Sequence, residues 1–176
     1  MNAIANSHFS INISSFIHVK VPALPELKAV GRAIGAVLSE IDGWVTVGMT
    51  GRYMSGKTTV AFAAAESFLS TEICFPEDNR KMWDIHFIDE GGKRQVNFLD
   101  RGALRRQAIE GEASRTTSVG VRFVEHAMPT DDPHLRVHVI RTWGDWYGPT
   151  QLALWVRRPE INVSLLKQRL EPHIIR

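Results

Sequence analysis

Phe16-Ile17-His18-Val19-Lys20-Val21 alternates apolar and polar positions and is rich in β-branched residues, which predicts a strand ended by Pro22 and Pro25. Apolar residues then recur at Leu27, Val30, Ile34, Val37, Leu38 and Ile41. That is the spacing of one helical stripe, and Asp42-Gly43 stops the helix. Trp44 to Met49 is a short, apolar, β-branched strand, and from Lys57 to about Leu69 the chain is apolar nearly all round, as in a helix buried against a central sheet. Thr71 to Met82, with Pro76 and the charged run Glu77 to Lys81, reads as an exposed loop.

Two strand-like runs follow, Trp83 to Asp89 and Arg94 to Asp100, joined by Glu90-Gly91-Gly92-Lys93. The Gly-Gly pair is a hairpin signal, so these two strands are expected to be antiparallel within an otherwise parallel sheet. Arg101 to Glu112 reads as a short helix carrying Arg101, Arg105 and Arg106, and Gly120 to Glu125 as a strand ending in a carboxylate before the turn Ala127 to Pro133. Leu135 to Arg141 alternates as a half-exposed strand should, and Gln151 to Val156 is another strand. Ile161, Leu165, Leu166 and Leu170 keep helical spacing in the tail. The pattern predicts a three-layer α/β fold with a mostly parallel sheet and one antiparallel hairpin. Residues 1–15 are expected to form a loose arm, 16–158 the domain, and 159–176 a helical tail packed on it.

Chemistry concentrates between the strand ending at Met49 and the helix starting at Lys57. Gly51 through Thr58 fit G-x-x-x-x-G-K-[ST], the loop whose N–H groups wrap a polyphosphate while the lysine reaches its outer oxygens. Gly51 and Gly56 allow backbone angles and close approaches that a Cβ forbids; Met54, Ser55, Lys57 and Thr59 complete the cradle. Thr58 offers a hydroxyl to magnesium. Asp100 ends an apolar strand, where such proteins hold the metal through water, and it is equally an N-cap for the next helix. Glu125 ends a second strand; two carboxylates beside a phosphate loop divide naturally into one for the metal and one to orient or deprotonate water, and Glu125 is assigned the second role.

Composition narrows the setting. The chain has 176 residues, enough to bury a core without covalent staples. One cysteine, Cys74, excludes an intramolecular disulfide. A formal charge of +2 is too small to argue for nucleic acid by itself. No apolar run approaches the roughly 18 residues of a membrane span, and the polar, Ser/Asn-rich start lacks the basic and apolar blocks of a signal peptide, so a cytoplasmic protein without a membrane partner is expected. No His/Cys cluster has metal-ligand spacing, and no Asn-Lys-x-Asp guanine-reading motif is present. Trp143, Trp146 and Tyr147 form an aromatic turn suited to base stacking, partner docking or plain packing.

The order of parts resembles the TsaE family, small bacterial ATPases that assist synthesis of threonylcarbamoyladenosine on transfer RNA. The resemblance spans roughly residues 24 to 142. It runs from Leu24-Pro25-Glu26-Leu27-Lys28-Ala29-Val30-Gly31-Arg32-Ala33-Ile34-Gly35 through Gly51 to Thr59 and the hairpin to Val121-Arg122-Phe123-Val124-Glu125-His126-Ala127-Met128-Pro129. Departures fall on the switch and partner-facing parts. Phe75-Pro76-Glu77-Asp78 lacks the family's threonine, His126 replaces a tryptophan, and Gly102 and Ala103 stand where tyrosine and arginine are expected. The resemblance implies ATP with Mg2+, slow hydrolysis, and coupling to a TsaB/TsaD-like tRNA-modification complex, with direct tRNA contact left open. In those roles Lys57 and the loop amides neutralise phosphoryl charge, Thr58 and Asp100 hold the metal, and Glu125 positions water. Two alternatives stay open: a phosphotransferase with the Arg101 to Arg115 arginines as a lid, and a nucleotide-gated binding module with little turnover.

Overall fold

A computed structural model describes residues 15–73, 85–100, 116–127, 132–141 and 149–174, without the Asp100 side chain. Strands β1 (Ser15–Val21), β2 (Trp44–Gly51), β3 (Ile85–Ile88), β4 (Arg94–Asp100), β5 (Val119–Glu125), β6 (Leu135–Arg141) and β7 (Thr150–Val156) form one seven-stranded sheet in the order β1-β7-β6-β2-β5-β4-β3. The central strands β6, β2, β5 and β4 are parallel. The expected hairpin is present, with β3 antiparallel to β4. A second antiparallel region joins β7 to both β6 and β1. Alternation alone did not give that pairing, because it fixes which side chains share a face and not which strand lies beside which.

Helices α1 (Leu24–Leu38), α2 (Lys57–Leu69) and α3 (Val163–Leu170) share one apolar core with one face of the sheet. Val45, Val47 and Met49 of β2 point into that core, as do Val96 and Phe98 of β4 and Val121 and Phe123 of β5. Phe62 of α2 stacks on Phe98 at a centroid distance of 4.3 Å, and Phe98 stacks on Phe123 at 5.4 Å. All three rings are buried, each contributing about 1.5–3 kcal/mol through burial. They fix α2, and with it the loop from Gly51 to Gly56, over the parallel centre.

Helix α1 closes on α2 through missing side chains. A Cβ at Gly35 would lie 2.0 Å from the Ala64 carbonyl oxygen, and one at Gly31 would lie 2.6 Å from that of Val60. At the far end of the helices the Arg94 guanidinium donates to the carbonyls of Phe68 at 2.9 Å and Ser39 at 3.2 Å. One cation thus satisfies C-terminal carbonyls of both helices, where their dipoles favour positive charge.

The other face of the sheet is more polar. Thr46, Gly48 and Thr50 lie on it, and Ala127 and Pro133 press on Gly48. Buried Gln95 donates to Asn97 at 2.8 Å and accepts from the Thr116 backbone and hydroxyl at 2.9 Å. Cys74, the charged run 77–81, the helix expected over 101–112 and the aromatic turn 143–147 lie outside the described residues. No helix among the described residues is long and apolar enough to cross a membrane.

Gly35→Ala should lower unfolding free energy by about 2–3 kcal/mol in urea denaturation, because the new methyl meets backbone that moves only by separating the helices. Gly91→Ala is the control, since its Cβ meets nothing closer than 3.9 Å. It should stay within about 0.5 kcal/mol of the parent.

Candidate functional site

The loop leaves β2 at its C-terminal end, in the middle of the sheet, and enters α2 at Lys57. Open α/β sheets bind ligands outside the carboxyl ends of their strands. Gly51 has φ +134 and its Cβ would lie 2.4 Å from the Val139 carbonyl oxygen; Gly56 has φ +103 and its Cβ would meet Leu27 at 2.7 Å. Both positions need glycine for conformation, and Gly51 also for space, because backbone fills the room a Cβ would take. Met54 adopts φ +57 without being glycine. Such strain persists where surrounding structure over-determines it, and it marks functional loops.

Lys57 opens α2 with its side chain only 4% exposed. A buried ammonium needs acceptors. Its Nζ donates to the carbonyl oxygens of Gly51 at 3.1 Å and Arg52 at 2.7 Å, and lies 3.4 Å from Oε1 of Glu125. That carboxylate is 17% exposed and also has Nε2 of the outlying His126 at 3.6 Å. Strand β5 brings it there by pairing in parallel with β2, Met49 opposite Glu125.

Three features of the loop fit a phosphate ligand. Gly56 leaves the first N–H groups of α2 without a side-chain cap, and the first turn carries no acidic residue. The helix dipole there favours an anion. Ser55 is 2% exposed, and its hydroxyl has no hydrogen-bond partner among the described residues. An orphaned buried hydroxyl is costly unless a ligand satisfies it. Thr58 and Thr59 are half-buried in the first turn.

Asp100 ends β4 directly opposite Glu125 in the register. Its backbone therefore lies two strand spacings from β2, about 10 Å across the sheet. The structure brings Gly51, Met54, Ser55, Gly56, Lys57 and Glu125 together, and places the start of α2, with Thr58 and Thr59, beside them. Among the described residues no group of three or more His, Cys, Asp or Glu side chains could hold a metal ion by itself.

Sequence reading missed one pair. Nδ1 of His138 lies 2.9 Å from the Thr50 hydroxyl, immediately before Gly51. Burial, and secondarily the Lys57 charge, lower the His138 pKa below its ordinary 6.5. His138 looked like one polar position in an alternating strand, and only the pairing of β6 with β2 brings it under the loop.

No protein-family model matches this chain, and no curated protein does. Among solved structures it is similar to the crystal structure of YdiB from Bacillus subtilis, over 90% of this chain and 95% of that one, with a TM-score of 0.59 and 16% sequence identity. At that identity the likeness is one of fold. The fold is mixed α/β, of the P-loop NTPase-like kind, with a sheet mostly parallel in its centre.

The pKa of His138 has a consequence for stability. The unfolded imidazole protonates near pH 6.5, before the folded one does, so the stabilisation present above that pH is lost as pH falls through the folded value. His134, lowered chiefly by burial, acts in the same direction. The melting temperature should fall between pH 7.5 and 5.5, and His138→Gln should reduce that fall; an unchanged slope in the variant would contradict the assignment.

Proposed function

We propose that this chain is a TsaE-like P-loop protein that binds ATP, hydrolyses it slowly with magnesium, and assists a TsaB/TsaD-like complex in threonylcarbamoyladenosine modification of transfer RNA. The observation that carries the nucleotide reading is Lys57: a buried cation at the loop's helix start, held by two loop carbonyls and one carboxylate, all groups a polyphosphate can replace. The tRNA-modification role rests on the order of parts in the sequence.

In this reading the loop amides from Gly51 to Thr59 orient the phosphates, and the Ser55 hydroxyl gains the partner it lacks. Lys57 turns from the Gly51 and Arg52 carbonyls toward the outer phosphate oxygens, where its charge offsets the charge that develops during transfer. Glu125, released from that ion pair, is then able to orient or deprotonate the attacking water. Thr58 and Asp100 would hold the magnesium ion, which supplies further neutralisation of phosphate charge when bound.

A second reading, a nucleotide-gated module with little turnover, is favoured by the same ion pair: while Glu125 holds Lys57, neither group is available for its catalytic role.

Thermal unfolding with magnesium-ATP and magnesium-GTP, followed by phosphate release, separates the readings. At 100 times the dissociation constant, ATP should add about 2.7 kcal/mol of stability. Lys57→Ala should abolish that gain, and Glu125→Ala should keep it while turnover falls about 100-fold or more. Equal binding losses in the two variants would contradict this division of roles, and stabilisation of the parent without phosphate release would favour the gated module.

A further inference from the structure

Beyond β6 the sheet carries a second surface, on the face turned away from α1 and α2. The register aligns three rows across β1, β7 and β6: Phe16 beside Trp155 and then Arg136, His18 beside Ala153 and then His138, and Lys20 beside Gln151 and then Ile140. Rows on one face of a strand are about 7 Å apart and neighbouring strands about 4.8 Å. Phe16 is 51% exposed and Ile140 43%, at opposite corners of the grid. The Phe16 ring lies 5.3 Å from Trp155 and 6.2 Å from His18, and His18 Nε2 is 3.0 Å from the Gln151 amide oxygen.

Charge narrows what this surface fits. Strands β1, β6 and β7 contain no Asp or Glu, and neither does Met1 to Ser14, the stretch preceding β1. Lys20 is exposed at one corner. An ordinary solvated sheet face mixes both signs of charge. A protein-docking patch has a contiguous apolar centre; on this face the centre is His18, Ala153 and His138, and the apolar groups are split between corners. One exposed ring beside a half-buried indole, polar edges and strands without carboxylates suit a ligand of planar bases on an anionic backbone. The imidazole and amide of His18 and Gln151 can donate to and accept from a 2′-hydroxyl, the group that distinguishes RNA.

We propose that the β1–β7–β6 face binds single-stranded RNA, with bases stacking on Phe16 and Trp155 and Lys20 contacting the backbone. The surface uses no residue of the phosphate loop, so this proposal stands or falls independently of nucleotide binding. It nevertheless adjoins the loop, because His138 at its margin contacts Thr50, the residue before Gly51.

The test is fluorescence anisotropy of the full chain without nucleotide, using a labelled single-stranded RNA of mixed sequence, the same sequence as DNA, and the RNA duplex. The single-stranded RNA should bind at least about tenfold tighter than the duplex, and more weakly at higher salt. Lys20→Glu should keep the parent's melting temperature, and Phe16→Ala, which loses a half-exposed contact with Trp155, should lower it only slightly, while RNA affinity falls about fivefold or more in both. Trp155→Ala should lose binding that Trp155→Phe largely keeps. Absence of binding by the parent, equal affinity for duplex or DNA, or unchanged RNA affinity in both exposed variants would overturn the proposal.

Discussion

A cation sealed from water constrains the architecture around it. The Lys57 ammonium is stable at the head of α2 only because three acceptors converge on it: the carbonyl of Gly51 at the end of β2, that of Arg52 in the loop, and the carboxylate of Glu125 at the end of β5. Each acceptor sits on a different piece of chain. Their convergence needs the parallel pairing of β2 with β5, the left-handed turns at Met54 and Gly56, and the seating of α2 on the phenylalanine stack. Removing any acceptor leaves part of a buried charge uncompensated, which is expensive in a low-dielectric site. An anionic ligand at this site would compete for the lysine with groups the protein already supplies.

The two faces of the sheet divide the work. One is closed by α1, α2 and α3 over an apolar core, and the tight contact of Gly35 with Ala64 lets α1 support α2 closely. The other carries Gln95, Asn97, Thr50 and His138, held by side-chain hydrogen bonds, and opens onto the aromatic rows of β1 and β7. Strand β2 belongs to both. Met49 faces the core, Thr50 faces the polar side, and Gly51 begins the loop, so a change at His138 is one side chain away from that loop.

Much of this was legible along the chain. The strand, loop and helix from Trp44 to Leu69, the β3–β4 hairpin at Gly91-Gly92, and the stripe of α1 all follow from local periodicity and turn chemistry. The glycine positions of the loop are also visible in the sequence, and both take positive φ. The antiparallel run of β7 with β6 and β1 was not legible, because the aromatic connection between β6 and β7 gives no short hairpin signal. Glu125 was visible as a strand-ending carboxylate, yet its contact with Lys57 was not.

Sequence by itself determined which segments become strands and helices, which faces are apolar, and where a glycine-bounded loop with its lysine joins β2 to α2. These depend on residues within a few positions of one another, so a local pattern specifies them. Tertiary structure alone decided who stands beside whom. Thr50 and His138 are 88 positions apart and His18 and Gln151 133 apart, and each pair meets only through strand order and register. The ion pair of Lys57 with Glu125 and the aromatic rows of the second face arise in the same way. Register is set by the burial of whole strands against a shared core, a sum over many distant contacts that no single stretch of the chain contains.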